Sequence, residues 1–345
     1  MVSRRLGTGS SLLLLSFMTF VHARPQSAPS QVQERAEEIT VARALIEQGK
    51  IDEAIARLKE MELREPNLKG VARGLGTAYY KMSNFAQALP YLKRAVQEDP
   101  NDKEAVQLLG LSYYLTGRPA EAIPLLEKVR SWYPVANVDA SYVLGLCYIQ
   151  TKNYAQARKA FATMFNVPED SGASHLFLAR MLLRQEFDPV AEEHAQKAVA
   201  LDPKLPLAHF LLGELYMYKS RIPEAIAEFE KELEINRAHA ATYYKLADAY
   251  SRVMKFEEAE RLLQRSIWLD ATASGPYVLM GKVLLKKGET ELATRMLQRA
   301  LKMDPNNFVG HHLLGQAYQK MGKTEEAERE LRLAEQLQKA QTANP

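Results

Sequence analysis

The chain has 345 residues, with 45 Lys and Arg against 42 Asp and Glu, a formal net charge of +3 at pH 7. This near balance argues against a nucleic-acid-binding protein, which needs a clear excess of basic residues. The single cysteine, Cys147, excludes an internal disulfide framework and every metal site built from several cysteines.

The first 23 residues have the pattern of an export signal. Arg4 and Arg5 precede a ten-residue apolar run at 12–21, and Ala23 supplies a small residue at its exit. A membrane-spanning helix needs about twenty apolar residues, twice this number. We therefore predict a secretory signal peptide, residues 1–23, cleaved after Ala23, and an exported protein that is periplasmic or secreted. Two alternatives stay open: a twin-arginine export signal, and an uncleaved signal segment as the only membrane contact.

A fixed internal period begins after a polar, proline-containing segment, residues 24–34, which we predict to be a linker. A small residue then recurs every 34 residues in seven of eight steps and after 35 residues once. An alanine follows each of these small residues twelve positions later. The recurring residues are Ala42, Gly76, Gly110, Gly145, Ala179, Gly213, Ala247, Gly281 and Gly315. Such a period indicates stacked repeats, each too small to bury its own apolar faces.

Within each unit, apolar residues at helical spacing form two stripes separated by a break such as 116–119. Unit two contains the motif residues Leu75, Gly76, Tyr79, Ala88, Leu92, Ala95 and Pro100. This pattern resembles the tetratricopeptide repeat family. The resemblance implies an all-α, right-handed superhelical solenoid of about nine helix-turn-helix repeats, with the first helix of each pair on the concave side. The nine units are 35–68, 69–102, 103–136, 138–171, 172–205, 206–239, 240–273, 274–307 and 308–341, followed by a tail at 342–345.

No catalytic set is recognisable in the sequence, so we predict that the protein is not an enzyme and binds no cofactor or metal. His175, His209 and His311 share position four of their units, but they lie in units five, six and nine and do not converge as metal ligands must. Cys147 lies in a predicted first helix, and a buried inert thiol is the favoured interpretation.

The first helices carry a second apolar stripe at positions two, five, nine, twelve and thirteen. The resemblance places this stripe on the concave wall, where so many large apolar residues indicate a binding surface. The predicted groove residues are Leu111, Tyr114, Leu115, Tyr142, Leu146, Leu176, Leu183, Phe210, Met217, Tyr218 and Tyr244, edged by Arg73, Arg180, Arg184 and Arg252. The alternative is that several of these side chains pack against the neighbouring repeat.

These features favour a non-enzymatic scaffold that binds a peptide or helix of a partner protein in an apolar groove. A second hypothesis is a homo-oligomer that buries the same apolar face, and a more remote one is an accessory subunit of an envelope enzyme complex. The last predicted helix, 324–338, is rich in charged residues and has the character of a polar cap, which argues against open-ended stacking.

Overall fold

A computed structural model describes residues 31–133, 138–184 and 188–343, which form eighteen α-helices and no strand. Two helices form each of the nine units, which confirms the predicted all-α superhelical solenoid. The predicted signal peptide, residues 1–23, lies outside the described residues. The helices are α1 Gln31–Glu47, α2 Ile51–Arg64, α3 Val71–Lys81, α4 Phe85–Glu98, α5 Lys103–Leu115, α6 Pro119–Trp132, α7 Val138–Gln150, α8 Tyr154–Met164, α9 Gly172–Arg184, α10 Asp188–Leu201, α11 Ala208–Tyr218, α12 Ile222–Ile235, α13 Ala240–Arg252, α14 Phe256–Leu269, α15 Ser274–Lys287, α16 Thr290–Met303, α17 Phe308–Lys320 and α18 Thr324–Ala343.

The two ends of the solenoid are longer than the sequence pattern indicates. Helix α1 begins at Gln31, inside the segment 24–34 predicted as linker. The last proline of that segment is Pro29, and the residues after Ser30 are compatible with a helix. At the other end α18 continues to Ala343, so residues 342 and 343 extend the last helix rather than begin the predicted tail.

A tight turn joins the two helices of a unit in each of the eight units whose connecting residues the structure describes. In unit two, Ser83 has a φ of 58°, and the Asn84 amide donates to the Tyr79 carbonyl at 2.9 Å. The Asn84 side chain then accepts a hydrogen bond from the amide of Gln87 and caps α4. One residue in the left-handed region thus ends the first helix and starts the second almost at once.

The recurring small residues lie where the two helices of a unit cross closely. A Cβ atom at Gly213 would lie 2.5 Å from the Phe229 ring, and one at Gly145 would lie 2.5 Å from the Phe161 ring. Gly281 has the same relation to Leu297. A large side chain on the second helix therefore fills the space that the missing side chain on the first helix leaves.

The contacts between helices show which side of the solenoid is the inner one. First helices contact the first helix of the next unit in seven of the eight steps, as α1 does with α3 and α11 with α13. Within the described residues, no comparable contacts join successive second helices; each packs on its own first helix and on the first helix that follows. The first helices therefore line the inner, concave wall. Of the helices described, none has the combination of length and apolarity that a bilayer span requires.

A buried carboxylate joins the helices of unit six. Glu232 on α12 is fully buried, and its carboxylate accepts the Leu207 amide at 2.9 and 3.0 Å and the Phe210 amide at 3.3 Å. These amides are at the start of α11, where backbone N–H groups have no partner within the helix and the dipole favours negative charge. The sequence pattern marks Glu232 as a departure from the small residue usual at that position, and the structure shows that it caps α11.

Candidate functional site

Three of the eleven predicted groove residues, Leu146, Leu176 and Met217, are buried by packing within the solenoid. Leu146 and Leu176 are buried members of the main apolar core, so neither offers the open surface predicted for it. Both side chains belong to the continuous core formed between the helices, rather than to the surface of the inner wall. Met217 is only 8% exposed, but it contributes to the floor of an open depression described below.

Six of the other predicted residues are half-buried. The Phe210 ring contacts the rings of Phe229 and His239, with centroid separations of 5.8 and 5.0 Å. Burial raises the pKa values of the Tyr114 and Tyr244 hydroxyls above their usual range. These six are Leu111, Tyr114, Tyr142, Leu183, Phe210 and Tyr244.

Leu115 and Tyr218 are the two predicted groove residues that project into solvent, with exposures of 46% and 72%. Each ends the first helix of its unit, at position thirteen. An exposed tyrosine on a concave wall is the kind of side chain that anchors a bound segment.

The four predicted arginines divide into two paired and two free groups. Arg73 binds Asp102, at 3.2 Å, and Glu104, and Arg252 binds Asp248 at 3.0 Å. Arg180 and Arg184 are exposed on α9, and no hydrogen bond or ion pair joins either of them to another described residue. Of the four, these two have no pair with a described residue that a ligand would need to break.

An open depression of about 460 Å³ lies between α9, α11 and α13, where the first helices of units five to seven meet. Its charged lining is neutralised internally, because Lys245 binds Glu214 at 2.9 Å and Arg252 binds Asp248. The depression is lined by Leu183, Glu214, Met217, Tyr218, Ser220, Lys245, Asp248 and Arg252.

The free arginines continue this lining along α9. Arg180, Leu183 and Arg184 are three and four residues apart and so share one face of the helix. Together with Met217 and Tyr218 they form what we call the concave site. It combines apolar contacts with two positive charges that no described residue pairs, and its five residues all come from the part of the predicted groove in units five and six.

A second hollow, which the sequence analysis missed, lies between α1, α3 and α5. It holds about 250 Å³ above Ile39, Ile46 and Leu58, with Arg43 and Lys81 also in its lining. Gly74 opens it, because a Cβ atom there would lie 2.9 Å from Leu58. The available signal was this glycine at position six, where units three to six have Leu, Val, Phe and Leu.

The residues with recognisable chemistry lie apart from the concave site or within the core. Cys147 is buried, and burial raises the pKa of its thiol to about 12, which makes it a poor nucleophile. His209 and His311 are buried in separate units, and each binds a glutamate. Over the described ranges, no three His, Cys, Asp or Glu side chains are grouped so that one metal ion could reach them all.

Four family models match the sequence. Three describe tetratricopeptide or TPR repeats and match residues 176–242, 281–322 and 310–341. The fourth, described as anaphase-promoting complex, cyclosome, subunit 3, matches residues 81–164. Together the matches fall in units two to nine. A search of curated protein sequences finds no match.

Several solved structures resemble the chain. PilF of Pseudomonas aeruginosa is 19% identical over 60% of this chain and 97% of its own, with a TM-score of 0.48. YrrB, described as a TPR protein with an unusual peptide-binding site, is 21% identical over 53% of this chain and 93% of its own, with a TM-score of 0.45. A chain of the Cut9–Hcn1 hetero-tetramer of the APC/C is 20% identical over 84% of this chain and 57% of its own length, with a TM-score of 0.46. Identities and TM-scores this low carry no argument about partners.

Proposed function

Since the chain carries tetratricopeptide repeats along the solenoid, we propose that it is a non-enzymatic, exported scaffold for protein–protein interaction. Its concave site binds a segment of a partner protein that presents an apolar or aromatic side chain beside acidic residues. The proposal rests above all on one observation: Tyr218 is 72% exposed on the inner wall and lines the same depression as Leu183, which shares a face of α9 with Arg180 and Arg184. Export is supported by the sequence pattern of residues 1–23.

The chemistry of the segment follows from the site. An exposed tyrosine buries a large area at little cost in side-chain entropy when a partner covers it, and Met217 and Leu183 extend the apolar contact. Arg180 and Arg184 add a charge-assisted contact for a carboxylate. An acidic segment also avoids repulsion with these two cations, which a basic segment would meet.

A display library of random twelve-residue peptides tests the binding proposal. Selection on the protein without residues 1–23 is expected to enrich peptides with an aromatic or large aliphatic residue near Asp or Glu. Tyr218→Ala is expected to weaken a selected peptide by about 30-fold, the effect of an anchor worth roughly 2 kcal/mol. Arg180→Ala with Arg184→Ala is expected to weaken it further and to reduce its dependence on salt.

Trp268 provides a matched control, because it is an equally exposed aromatic residue, at 71%, on the second helix α14. Trp268→Ala should leave peptide affinity unchanged. Peptides without acidic residues, or equal losses from Tyr218→Ala and Trp268→Ala, would contradict the proposal. Export has its own test: the protein recovered from its native envelope or medium should begin at residue 24.

The homo-oligomer remains the second candidate, since Tyr218 would also be covered by another copy. Sedimentation at micromolar concentration separates the two. A monomer whose peptide binding depends on Tyr218 supports the scaffold. A stable oligomer that Tyr218→Ala dissociates supports self-association.

A further inference from the structure

Two histidines face each other inside unit five. His175 on α9 and His194 on α10 have their Nδ1 atoms 2.7 Å apart, and their rings stack with centroids 4.9 Å apart. His194 is buried and His175 is half-buried. A hydrogen bond at this distance needs one nitrogen to carry the proton and the other to accept it.

The same two repeat positions hold a different pair in units six and nine. There His209 binds Glu228 and His311 binds Glu330, in each case with 2.5 Å between Nδ1 and the carboxylate. The Nε2 atom of each histidine also lies 3.0–3.1 Å from a proline carbonyl. Two acceptors around one imidazole favour the doubly protonated, charged ring. In unit six the hydrogen bond to Glu228 is the first cause that raises the pKa of His209, so this unit is built to hold a histidine cation.

Unit five holds an imidazole where units six and nine hold a carboxylate. Each added proton places a positive charge in a buried position. A second added proton makes both facing Nδ1 atoms donors, so that neither can accept the hydrogen bond between the rings. Burial is the largest cause that lowers the pKa values of both rings. The pKa of His194 falls to about 4, and the charge of the His175 ring is the second cause of that fall.

Among the described residues, the two carboxylates that act on the pair, Asp170 and Glu193, are already paired with cations. Arg158 on α8 binds Asp170 at 2.8 Å, and Lys197 on α10 binds Glu193 at 2.6 Å. On the side of α10 that packs on α11, Tyr216 contacts Gln196, while Lys219 and Arg221 bind Glu192. Each of these nearby carboxylates is thus already paired with a cation.

We propose that unit five is an acid-sensitive element of the solenoid: protonation of the facing His175 and His194 loosens α9 from α10, while the His209–Glu228 pair of unit six is stabilised under the same conditions. The sign follows from linkage. A histidine whose folded pKa is lowered contributes stability that is present above the unfolded pKa, about 6.5, and is lost as the pH falls below it.

The consequence for binding rests on the proposed function, whereas the acid sensitivity does not. Helix α9 carries Arg180, Leu183 and Arg184, so loosening it displaces half of the concave site. Acid would then weaken a bound partner without any titrating group in the partner itself.

Hydrogen exchange of the full chain tests the acid sensitivity, with protection factors corrected for the intrinsic effect of pH. Between pH 7.5 and 5, the opening of α9 and α10 should rise roughly 30-fold, the factor expected for one buried histidine whose pKa falls from about 6.5 to about 4, as for His194. Amides of α17 and α18, whose histidine is paired with Glu330, should not show this rise.

The decisive variant is His194→Glu, which gives unit five the pair found in units six and nine. It should abolish the acid-induced rise in exchange. His312→Gln, at an exposed histidine of α17, should leave the rise in unit five unchanged. If His194→Glu destabilises the fold, His175→Tyr with His194→Leu replaces the pair by the Tyr243 and Leu262 combination of unit seven and should also remove the rise.

Three results would overturn the proposal. One is equal protection of unit five at pH 7.5 and 5. Another is an undiminished rise in both the His194→Glu variant and the double variant. The third is a loss of protection at pH 7.5 when EDTA is added, restored by Zn²⁺, since the two imidazoles would then be metal ligands instead of a hydrogen-bonded pair. If the protein binds no selected peptide at the concave site but unit five is still acid-sensitive, only the proposed function is contradicted.

Discussion

Replacing Glu232 by alanine should destabilise unit six more than any other single carboxylate change on α12. The side chain lies fully buried and accepts hydrogen bonds from the amides of Leu207 and Phe210. In the alanine variant both amides stay buried at the start of α11 but lose their acceptor, and a cavity replaces the carboxylate.

The structure gives the size of this effect. A buried donor left without a partner costs about 1–3 kcal/mol, and two donors are affected. Relief from desolvating the carboxylate offsets part of the loss. We therefore expect Glu232→Ala to cost about 2–4 kcal/mol. Glu232→Gln keeps one acceptor oxygen but not its charge, and it should cost about half as much, since charge-assisted hydrogen bonds are roughly twice as strong as neutral ones.

Native-state hydrogen exchange of α11 amides measures this cost locally, because a repeat protein need not unfold in one step. Glu234→Ala is the matched control: it removes an exposed carboxylate two residues away and should change stability by less than about 0.5 kcal/mol. Equal effects of the Glu232 and Glu234 substitutions would refute the capping role.

Three further predictions concern other parts of the core. Gly213→Ala should lower the melting temperature, since its Cβ would lie 2.5 Å from Phe229, whereas Gly275→Ala, with 3.4 Å to the Tyr244 ring, should be neutral or stabilising. Cys147, with its thiol pKa raised to about 12 by burial, should resist iodoacetamide at pH 8 in the native protein and react fully in urea; native labelling at the urea rate would contradict this. The hydrogen bond to Glu228 is the largest cause that raises the pKa of His209. The stability that this pair contributes to the fold is therefore present below the pKa of the unfolded chain and is lost as the pH rises through the pKa of the folded protein. Protection of α11 and α12 should therefore fall between pH 6 and 8, and His209→Gln should remove that dependence.

The sequence predicts the fold well because the repeat positions are set by local contacts. Gly213 and its counterparts mark where paired helices cross, and this requirement recurs unchanged in each unit. The site is less predictable because it depends on contacts between units. Leu146 and Leu176 have the spacing of an exposed stripe, yet both are buried in the main apolar core.

The state of the arginines also depends on contacts between units. Arg73 has the same sequence character as Arg180, but Glu104 of the following unit neutralises it. The period gives the position of each side chain on its helix; it does not give the width of the seam or the partner across it.

The asymmetry between inner and outer helices also determines how the solenoid responds to force. Successive first helices are in contact along the inner wall, whereas successive second helices are separated by the first helix between them. A small rotation at each inner seam therefore changes the spacing of the outer helices without breaking contacts between them. Because each unit contacts only its neighbours, such rotations add along nine units. We therefore expect the spacing between units to change more easily at the outer helices than at the inner ones. A partner bound along the inner wall would then alter the curvature of the whole solenoid.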